Sequence, residues 1–148
     1  MRLWHKDLID VLPKNQIIAQ GRECCAIAVN LKTKGKPNHL LVNKITWFNK
    51  SHFYNYCCLV CEEMLNRGYT INEKAKQKIL DYVDEDERQT GVYIDHDKLF
   101  QGWHGKRYLL QCYFNLQEKF DCNGITIDEW KKINNKVRML LDNEELKL

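Results

Sequence analysis

Residues 51–67 read S-H-F-Y-N-Y-C-C-L-V-C-E-E-M-L-N-R, and this stretch decides the fold class because its apolar side chains recur at helical spacing. Ser51 is placed to cap the first turn, and Gly68 stands where helices commonly end in a left-handed residue. The pattern predicts a core helix over residues 51–67. Its buried stripe is expected to comprise Phe53, Tyr56, Cys57, Val60, Cys61 and Met64.

On the N-terminal side of this segment, the sequence predicts another helix followed by a loop. Pro13 suits a first helical turn, and small or apolar residues follow it at helical spacing, which predicts a helix over residues 13–30. Residues 31–43 include K-T-K-G-K-P-N-H and are expected to form an exposed basic loop, because Gly35 and Pro37 interrupt regular structure.

On the C-terminal side, a helix is predicted over residues 72–83, followed by a solvated acidic turn, D-E-D-E, at 84–87. A further helix is predicted over residues 105–120, and Gly124 closes it. T-I-D-E at 126–129 is a capping-box pattern that opens a last helix. Residues 40–48 are ambiguous, but no stretch alternates long enough to require a sheet. The predicted fold is all-α, with about five helices. The apolar stripe of the last helix is Ile127, Trp130, Ile133, Val137, Leu140 and Leu141.

The composition indicates a single globular domain over residues 1–148. The chain is 44% hydrophobic and 29% charged, which excludes a disordered segment of low hydrophobicity. No apolar run approaches the roughly 18 residues that a membrane-spanning helix needs, and the N-terminus lacks the apolar stretch of a secretory signal. We therefore expect the protein to stay in the compartment where it is made.

The seven cysteines are expected to be reduced thiols that pack mainly in the core. Their number is odd, two pairs are adjacent in sequence, and the chain has no export signal. The alternative is a metal or iron–sulfur site built around C-C-L-V-C at 57–61, which lacks the paired C-x-x-C spacing of a strong zinc motif. The residues concerned are Cys24, Cys25, Cys57, Cys58, Cys61, Cys112 and Cys122.

Positive charge is concentrated in the first third of the chain. The first fifty residues contain nine Lys or Arg and three Asp or Glu, a local charge of +6, whereas the other 98 residues contain fourteen and seventeen, a local charge of −3. Such asymmetry indicates one face suited to a polyanion such as nucleic acid. An ordinary solvated basic surface is the alternative.

Glu23 is the candidate catalytic carboxylate. On the predicted first helix its neighbours at helical spacing are Ala19, Ala26 and Ile27, whereas an exposed glutamate more often has basic neighbours there. Partial desolvation would raise its pKa toward the range useful for proton transfer. The alternative is a surface glutamate paired with Arg22 or another cation.

Six short motifs, in their order and approximate spacing, resemble the phage-type pyrimidine-dimer DNA glycosylase family, also called endonuclease V. The resemblance spans roughly residues 1–120 and is greatest for a bacterial-type branch that opens M-R-L-W-H, with residues 121–148 as an additional C-terminal helix. The motifs are M-R-L at the start, G-R-E at 21–23, W-F-N-K at 47–50, M-L-N-R-G-Y at 64–69, Y-I-D-H at 93–96 and N-L-Q-E-K at 115–119.

This resemblance implies an all-α bifunctional enzyme, a glycosylase coupled to an abasic-site (AP) lyase. Family members use the α-amine of the mature first residue as nucleophile, assisted by a glutamate on the first helix, and these positions match Met1 and Glu23. An α-amine suits this role because its usual pKa is about 7.7–8.0, compared with about 10.4 for a lysine. Methionine is normally retained before a bulky residue such as Arg2. The predicted nucleophile is therefore the free amine of Met1, which attacks the sugar C1′, displaces the base and leaves an imine that permits β-elimination. An N-terminal segment is expected to reach into the active-site cleft.

The resemblance also implies a DNA-binding surface. Arg2 and Arg22 are expected to bind phosphate, and Lys119 matches a basic residue of the family's DNA face. Trp4 and His5 are expected to contact an unstacked base. The expected partner is damaged or abasic double-stranded DNA, with no cofactor or metal. We expect the protein to be a monomer. We expect it to be located in the cytoplasm and to associate with the nucleoid when it is bound to DNA.

Several departures from the family pattern leave the lesion open. Asn115 stands where a basic DNA-contacting residue is expected, and Cys25 and Ala26 replace another. The family's short aromatic and basic tail is replaced by a predicted helix. His96 is expected to have a structural role. Two alternatives stay open: a non-catalytic DNA-binding module with the same fold, and a cysteine-ligated metal protein.

Overall fold

The structure is a computed structural model that describes residues 1–82 and 93–142, and within these ranges all regular structure is helical. The all-α prediction is therefore confirmed. Three short 3-10 helices span Lys6–Val11, Leu40–Trp47 and His96–Lys98. The α-helices are α1 (Lys14–Lys34), α2 (Lys50–Asn66), α3 (Glu73–Tyr82), α4 (Lys106–Asp121) and α5 (Ile127–Asp142).

The ends of α1 and α2 differ in part from the sequence prediction. Helix α1 continues four residues past residue 30 to Lys34 and ends at Gly35, whose φ of 74° is left-handed, so part of the predicted basic loop is helical. Helix α2 begins at Lys50 with Asn49 in the N-cap position, so the prediction that Ser51 is the cap was wrong. Gly68 has a φ of 83°, which confirms the predicted left-handed residue after the helix.

The start of α5 is a capping box, as predicted. The Thr126 N–H donates to Glu129 Oε1 over 3.1 Å, and the Glu129 N–H donates to Thr126 Oγ1 over 3.2 Å. Glu129 Oε2 also accepts from the backbone N–H of Lys14 over 2.8 Å, which ties α5 to the start of α1. Ile127 is 54% exposed, so its assignment to the buried stripe was wrong. The acidic run at 84–87 lies outside the described residues.

The core draws side chains from each of the described helices α1–α5 and from the N-terminal segment, because α1 packs on α2 and α3, and the first 3-10 helix packs on α2 and α5. Leu3 and Leu8 have no exposed surface. The first residues of the chain are therefore held by the core of the protein. None of the described helices is long and apolar enough to cross a membrane.

Candidate active site

A pocket of about 310 Å³ brings most of the predicted site residues together. Its walls come from the N-terminus, the first half of α1, the Leu40–Trp47 helix and α4. Of the predicted residues, the pocket is lined by Met1, Arg2, Trp4, Glu23 and Lys119. They are joined there by Asn15, Gln16, Ala19, Leu41 and Asn115.

Glu23 is half-buried on the wall of this pocket, as its small and apolar neighbours predicted. Burial raises the pKa of its carboxyl group. The positive terminal amine of Met1 opposes this shift, as do a hydrogen bond from the Arg2 backbone and the charges of Arg22 and His39. The carboxylate therefore lies within electrostatic reach of the chain's first amine.

Gln20 connects the N-terminal segment to Glu23. Its side chain has no exposed surface, and its Nε2 donates to the Arg2 carbonyl over 3.1 Å and to Glu23 Oε2 over 3.2 Å. Its Oε1 accepts from the backbone N–H of Trp4 over 2.8 Å and from the Tyr56 hydroxyl over 2.9 Å. One buried amide thus holds two backbone groups beside the pocket and one carboxylate oxygen inside it.

Gln20 was not predicted from the sequence as a site residue, although its place in the apolar stripe of α1 could have indicated one. On α1 the buried residues Ile17, Cys24 and Ile27 follow helical spacing, and Gln20 occupies the same stripe as the polar exception. A buried amide needs hydrogen-bond partners, so a polar residue in an apolar stripe indicates a built network.

Two tyrosines fix the same backbone from the opposite side. The Tyr56 hydroxyl, whose one proton is shared with Gln20 Oε1, donates to the Trp4 carbonyl over 2.7 Å, and the Tyr108 hydroxyl donates to the Leu3 carbonyl. Both side chains are buried. The backbone of residues 2–4 therefore has hydrogen bonds from α1, α2 and α4, which fixes where the Met1 amine can lie.

Arg2 and Lys119 both line the pocket and bring positive charge to it. The Arg2 guanidinium lies 5.5 Å from the ring centroid of Trp4. Lys119 is exposed on α4. Trp4 is only 6% exposed, so it presents little surface for stacking.

His5 lies away from the pocket, in the core. Its ring has no exposed surface and therefore cannot contact a base directly. The structure thus corrects the assignment of His5 to the DNA-binding residues. His5 Nε2 lies 2.9 Å from the His104 carbonyl, and Nδ1 accepts the Asp7 N–H over 3.1 Å, so Nε2 carries the proton. The two imidazoles stack with centroids 5.2 Å apart. Burial lowers the pKa of His5 to about 4 and that of His104 well below its usual value.

Arg22 and His96 also lie outside the pocket. Arg22 is exposed and borders a separate, mainly apolar groove of about 690 Å³ between α1 and α3, so the structure does not bring it to Met1. His96 Nε2 lies 2.6 Å from Asp7 Oδ1 and joins the 93–98 region to the first 3-10 helix, in keeping with the expected structural role.

The seven cysteines are free thiols, and three of them, Cys24, Cys57 and Cys112, are buried. Burial raises the pKa of the Cys61 thiol to about 11, which keeps it protonated near neutral pH. Within residues 1–82 and 93–142, no three side chains of His, Cys, Asp or Glu are grouped to hold a metal ion. The arrangement of the cysteines gives the metal-protein alternative no support.

The fold and the pocket define a small α-helical protein that gathers a backbone amine, a carboxylate and two cationic side chains around one opening. A family model for pyrimidine dimer DNA glycosylase matches residues 1–77, just over half of the 148 residues, and the chain belongs to that family. Membership implies a DNA glycosylase that binds DNA as its substrate. The part of the resemblance beyond residue 77 and the assignment to a bacterial-type branch stay predictions. Comparison with curated proteins and with solved structures gives no significant match.

Proposed function

We propose that the protein is a DNA glycosylase with AP lyase activity that works through an imine between the Met1 α-amine and the deoxyribose of a damaged nucleotide. The observation that carries the proposal is that Met1 and Glu23 line one pocket, where Gln20 bonds both to Glu23 and to the backbone of Arg2. The proposal requires a mature chain that begins at Met1 with an unblocked amine. The intact mass of the native enzyme checks this condition.

The chemistry assigned to Met1 is nucleophilic. The neutral amine attacks C1′ of the sugar, a C–N bond forms, and the bond from C1′ to the base breaks with its electron pair leaving on the base. Loss of the amine proton and opening of the sugar ring give a protonated imine. That imine acidifies C2′, and loss of a C2′ proton expels the 3′ phosphate by β-elimination. The departing base and the ring oxygen each take up a proton.

We assign Glu23 the roles of stabilising charge and transferring protons during this reaction. As a carboxylate it stabilises the positive charge that develops at C1′, and its raised pKa suits it to pass a proton during ring opening. Gln20 is a positioning residue in this scheme, because it holds Glu23 Oε2 and the backbone of Arg2 and Trp4 at once. A catalytic pair on two separate chain segments needs such a link.

Arg2 and Lys119 are assigned to the phosphates on either side of the reacting sugar. Arg2 is held against Trp4 and lines the pocket, and Lys119 supplies a second, exposed charge from α4. Arg22 is exposed one residue before Glu23 and is assigned to a phosphate farther along the backbone.

The proposed substrates are pyrimidine dimers or related base damage, together with abasic sites. Family membership supports the pyrimidine dimer. Asn115 lines the pocket where the family pattern has a basic residue, so this wall offers an amide in place of a cation. The lesion is therefore best assigned by a substrate panel.

Borohydride trapping tests the proposal. Untagged protein is mixed with duplexes that contain an abasic site, a cyclobutane dimer or undamaged thymines, and borohydride reduces any imine to a stable covalent complex. We expect trapping on the abasic and damaged duplexes. Acetylation of the Met1 α-amine should abolish trapping, whereas a glycine added after Leu148 should not. Binding without trapping would identify a non-catalytic DNA-binding protein, and trapping that survives acetylation of the α-amine would reject Met1 as the nucleophile.

A further inference from the structure

The Leu40–Trp47 helix exposes large apolar side chains beside the pocket. Leu40 is 82% exposed, Trp47 73% and Leu41 49%, whereas Val42 and Ile45 of the same helix are buried. The element is therefore anchored through one side and presents hydrophobic groups on the other. Exposed apolar groups gathered in one short element indicate an interaction surface.

Local hydrogen bonds hold these leucines in place. The Leu41 N–H donates to His39 Nδ1 over 3.3 Å, which caps the helix, and the Val42 N–H donates to the His39 carbonyl over 3.2 Å. At the other end, Thr46 Oγ1 donates to the Asn43 carbonyl over 2.8 Å. The leucines are thus carried on a fixed element whose buried side belongs to the core.

The position and charge of this surface indicate its partner. Leu41 lines the same pocket as Met1 and Glu23, next to the proposed reacting sugar, and Leu40 precedes it on the same helix. Exposed lysines precede and follow them in the chain. A partner with an anionic exterior and an apolar interior fits this combination, and duplex DNA has both in its phosphates and stacked bases. The lysines are Lys32, Lys34, Lys36, Lys44 and Lys50.

We propose that Leu40 and Leu41 form a wedge that enters the base stack beside the damaged nucleotide and holds the duplex open while the sugar C1′ reaches the Met1 amine. This inference rests on the proposed function. Apolar side chains inserted at a base step replace part of the lost stacking, and a damaged step is easier to open than an intact one. The wedge supplies access to the sugar, and the chemistry stays with Met1 and Glu23.

The test uses a duplex with a tetrahydrofuran abasic analogue beside 2-aminopurine, whose fluorescence rises when it unstacks. Wild-type protein should raise the fluorescence, and the double variant Leu40→Ala/Leu41→Ala should lose most of that rise. The matched control is Leu65→Ala, which removes a 54% exposed leucine from the end of α2. Equal thermal melting of all three proteins checks the fold, since the substituted side chains are exposed.

Trapping on two substrates separates this inference from the proposed function. We expect the wedge variant to trap a duplex abasic site at least tenfold more slowly than wild type and to lose much less of its rate on a single-stranded abasic oligonucleotide, because a single strand has no paired stack to open. A full fluorescence rise in the variant overturns the wedge. So does a variant that changes only a dimer–monomer equilibrium, since the leucines would then be a contact between copies. Failure of wild type to trap either substrate overturns the proposed function, and the fluorescence still decides the wedge.

Discussion

The side-chain nitrogen of Gln20 lies 3.2 Å from Oε2 of Glu23, and the same amide group bonds to the backbone of Arg2 and Trp4. Gln20 and Glu23 are separated by three positions on α1, whereas Arg2 and Trp4 belong to a segment that packs across that helix. The position of the carboxylate relative to the first amine therefore depends on one buried side chain that does not itself line the pocket.

Changing Gln20 should lower turnover by misplacing this pair. Gln20→Glu keeps an acceptor for the Trp4 N–H and the Tyr56 hydroxyl but cannot donate to Glu23, and its added charge should raise the pKa of Glu23 further. We expect kcat for abasic DNA to fall by roughly 10²-fold, the cost of a small misplacement, with KM little changed. We also expect the acidic limb of the pH–rate profile to move to higher pH. Single-turnover kinetics across pH measure both effects.

Two further variants separate this role from a merely structural one. Gln20→Leu leaves the Trp4 N–H and the Arg2 carbonyl without their buried partner, whereas the Tyr56 hydroxyl keeps the Trp4 carbonyl as its acceptor. The variant should therefore destabilise the fold by about 1–3 kcal/mol for each group left unpaired. Gln77→Leu removes an exposed amide that bonds to Asp81 on α3 and should leave both stability and turnover near wild type. A Gln20→Glu enzyme with wild-type kcat and an unshifted profile would show that Gln20 does not position Glu23.

Replacing Glu23 should remove the carboxylate while leaving the fold intact. Glu23→Gln is expected to reduce turnover by about 10²–10⁴-fold, the usual contribution of a positioned acid–base group. In wild type, burial raises the pKa of Glu23 above its ordinary value of 4.5, so activity should fall as the pH is lowered through that raised pKa. The variant should lack this limb. Retention of the limb in Glu23→Gln would assign it to another group.

Lys119 should contribute affinity without sequence preference. Lys119→Gln is expected to weaken binding to all duplexes alike and to reduce the slope of log K against log salt by about 1, because one phosphate contact and its released counterion are lost. Lys131→Gln, an exposed lysine on α5 outside the pocket, is the matched control. Fluorescence anisotropy over a salt series measures the slope. Equal slopes for the two variants would show that Lys119 does not contact a DNA phosphate.

The buried His5 should make stability fall in acid. Its pKa is lowered by burial from 6.5 to about 4, against the opposing charge of Asp7, so the unfolded chain binds a proton in this range that the folded chain does not. Stability should be full above about pH 6.5 and should decline as the pH falls toward 4, by about 3 kcal/mol for His5 alone. Asp7 affects stability only at lower pH, because hydrogen bonding to His96 and the charge of Lys6 outweigh its burial and hold its pKa at about 2.

Urea unfolding of wild type and of His5→Gln from pH 7 to 4.5 measures this contribution as a change in slope with pH. A smaller slope should persist in the variant, because burial also lowers the pKa values of His104 and His52. An unchanged slope would mean that His5 does not titrate as a buried group.

The sequence by itself determined the helical class and several local features. The buried Phe53, Tyr56, Cys57 and Val60 of α2, the left-handed Gly68, the capping box at Thr126 and the half-burial of Glu23 all follow from neighbours within one or two turns, and helical spacing reports such neighbours directly. Cys61 and Met64, the other two residues of the predicted stripe, are only partly buried. Boundaries were less well determined. Ser51 was wrongly chosen as the cap because Asn49, two positions earlier, also suits the N-cap position.

Only the tertiary structure decided which residues meet at the pocket. Gln20 and the Trp4 N–H are 16 positions apart, and Gln20 and Tyr56 are 36 apart, so no local sequence pattern could predict either contact. His5 belongs to the same opening motif as Met1, yet the turn into the first 3-10 helix carries it into the core beside His104. The physical reason is that periodicity fixes the face of a helix on which a side chain lies, whereas the packing of separate segments fixes what that face touches.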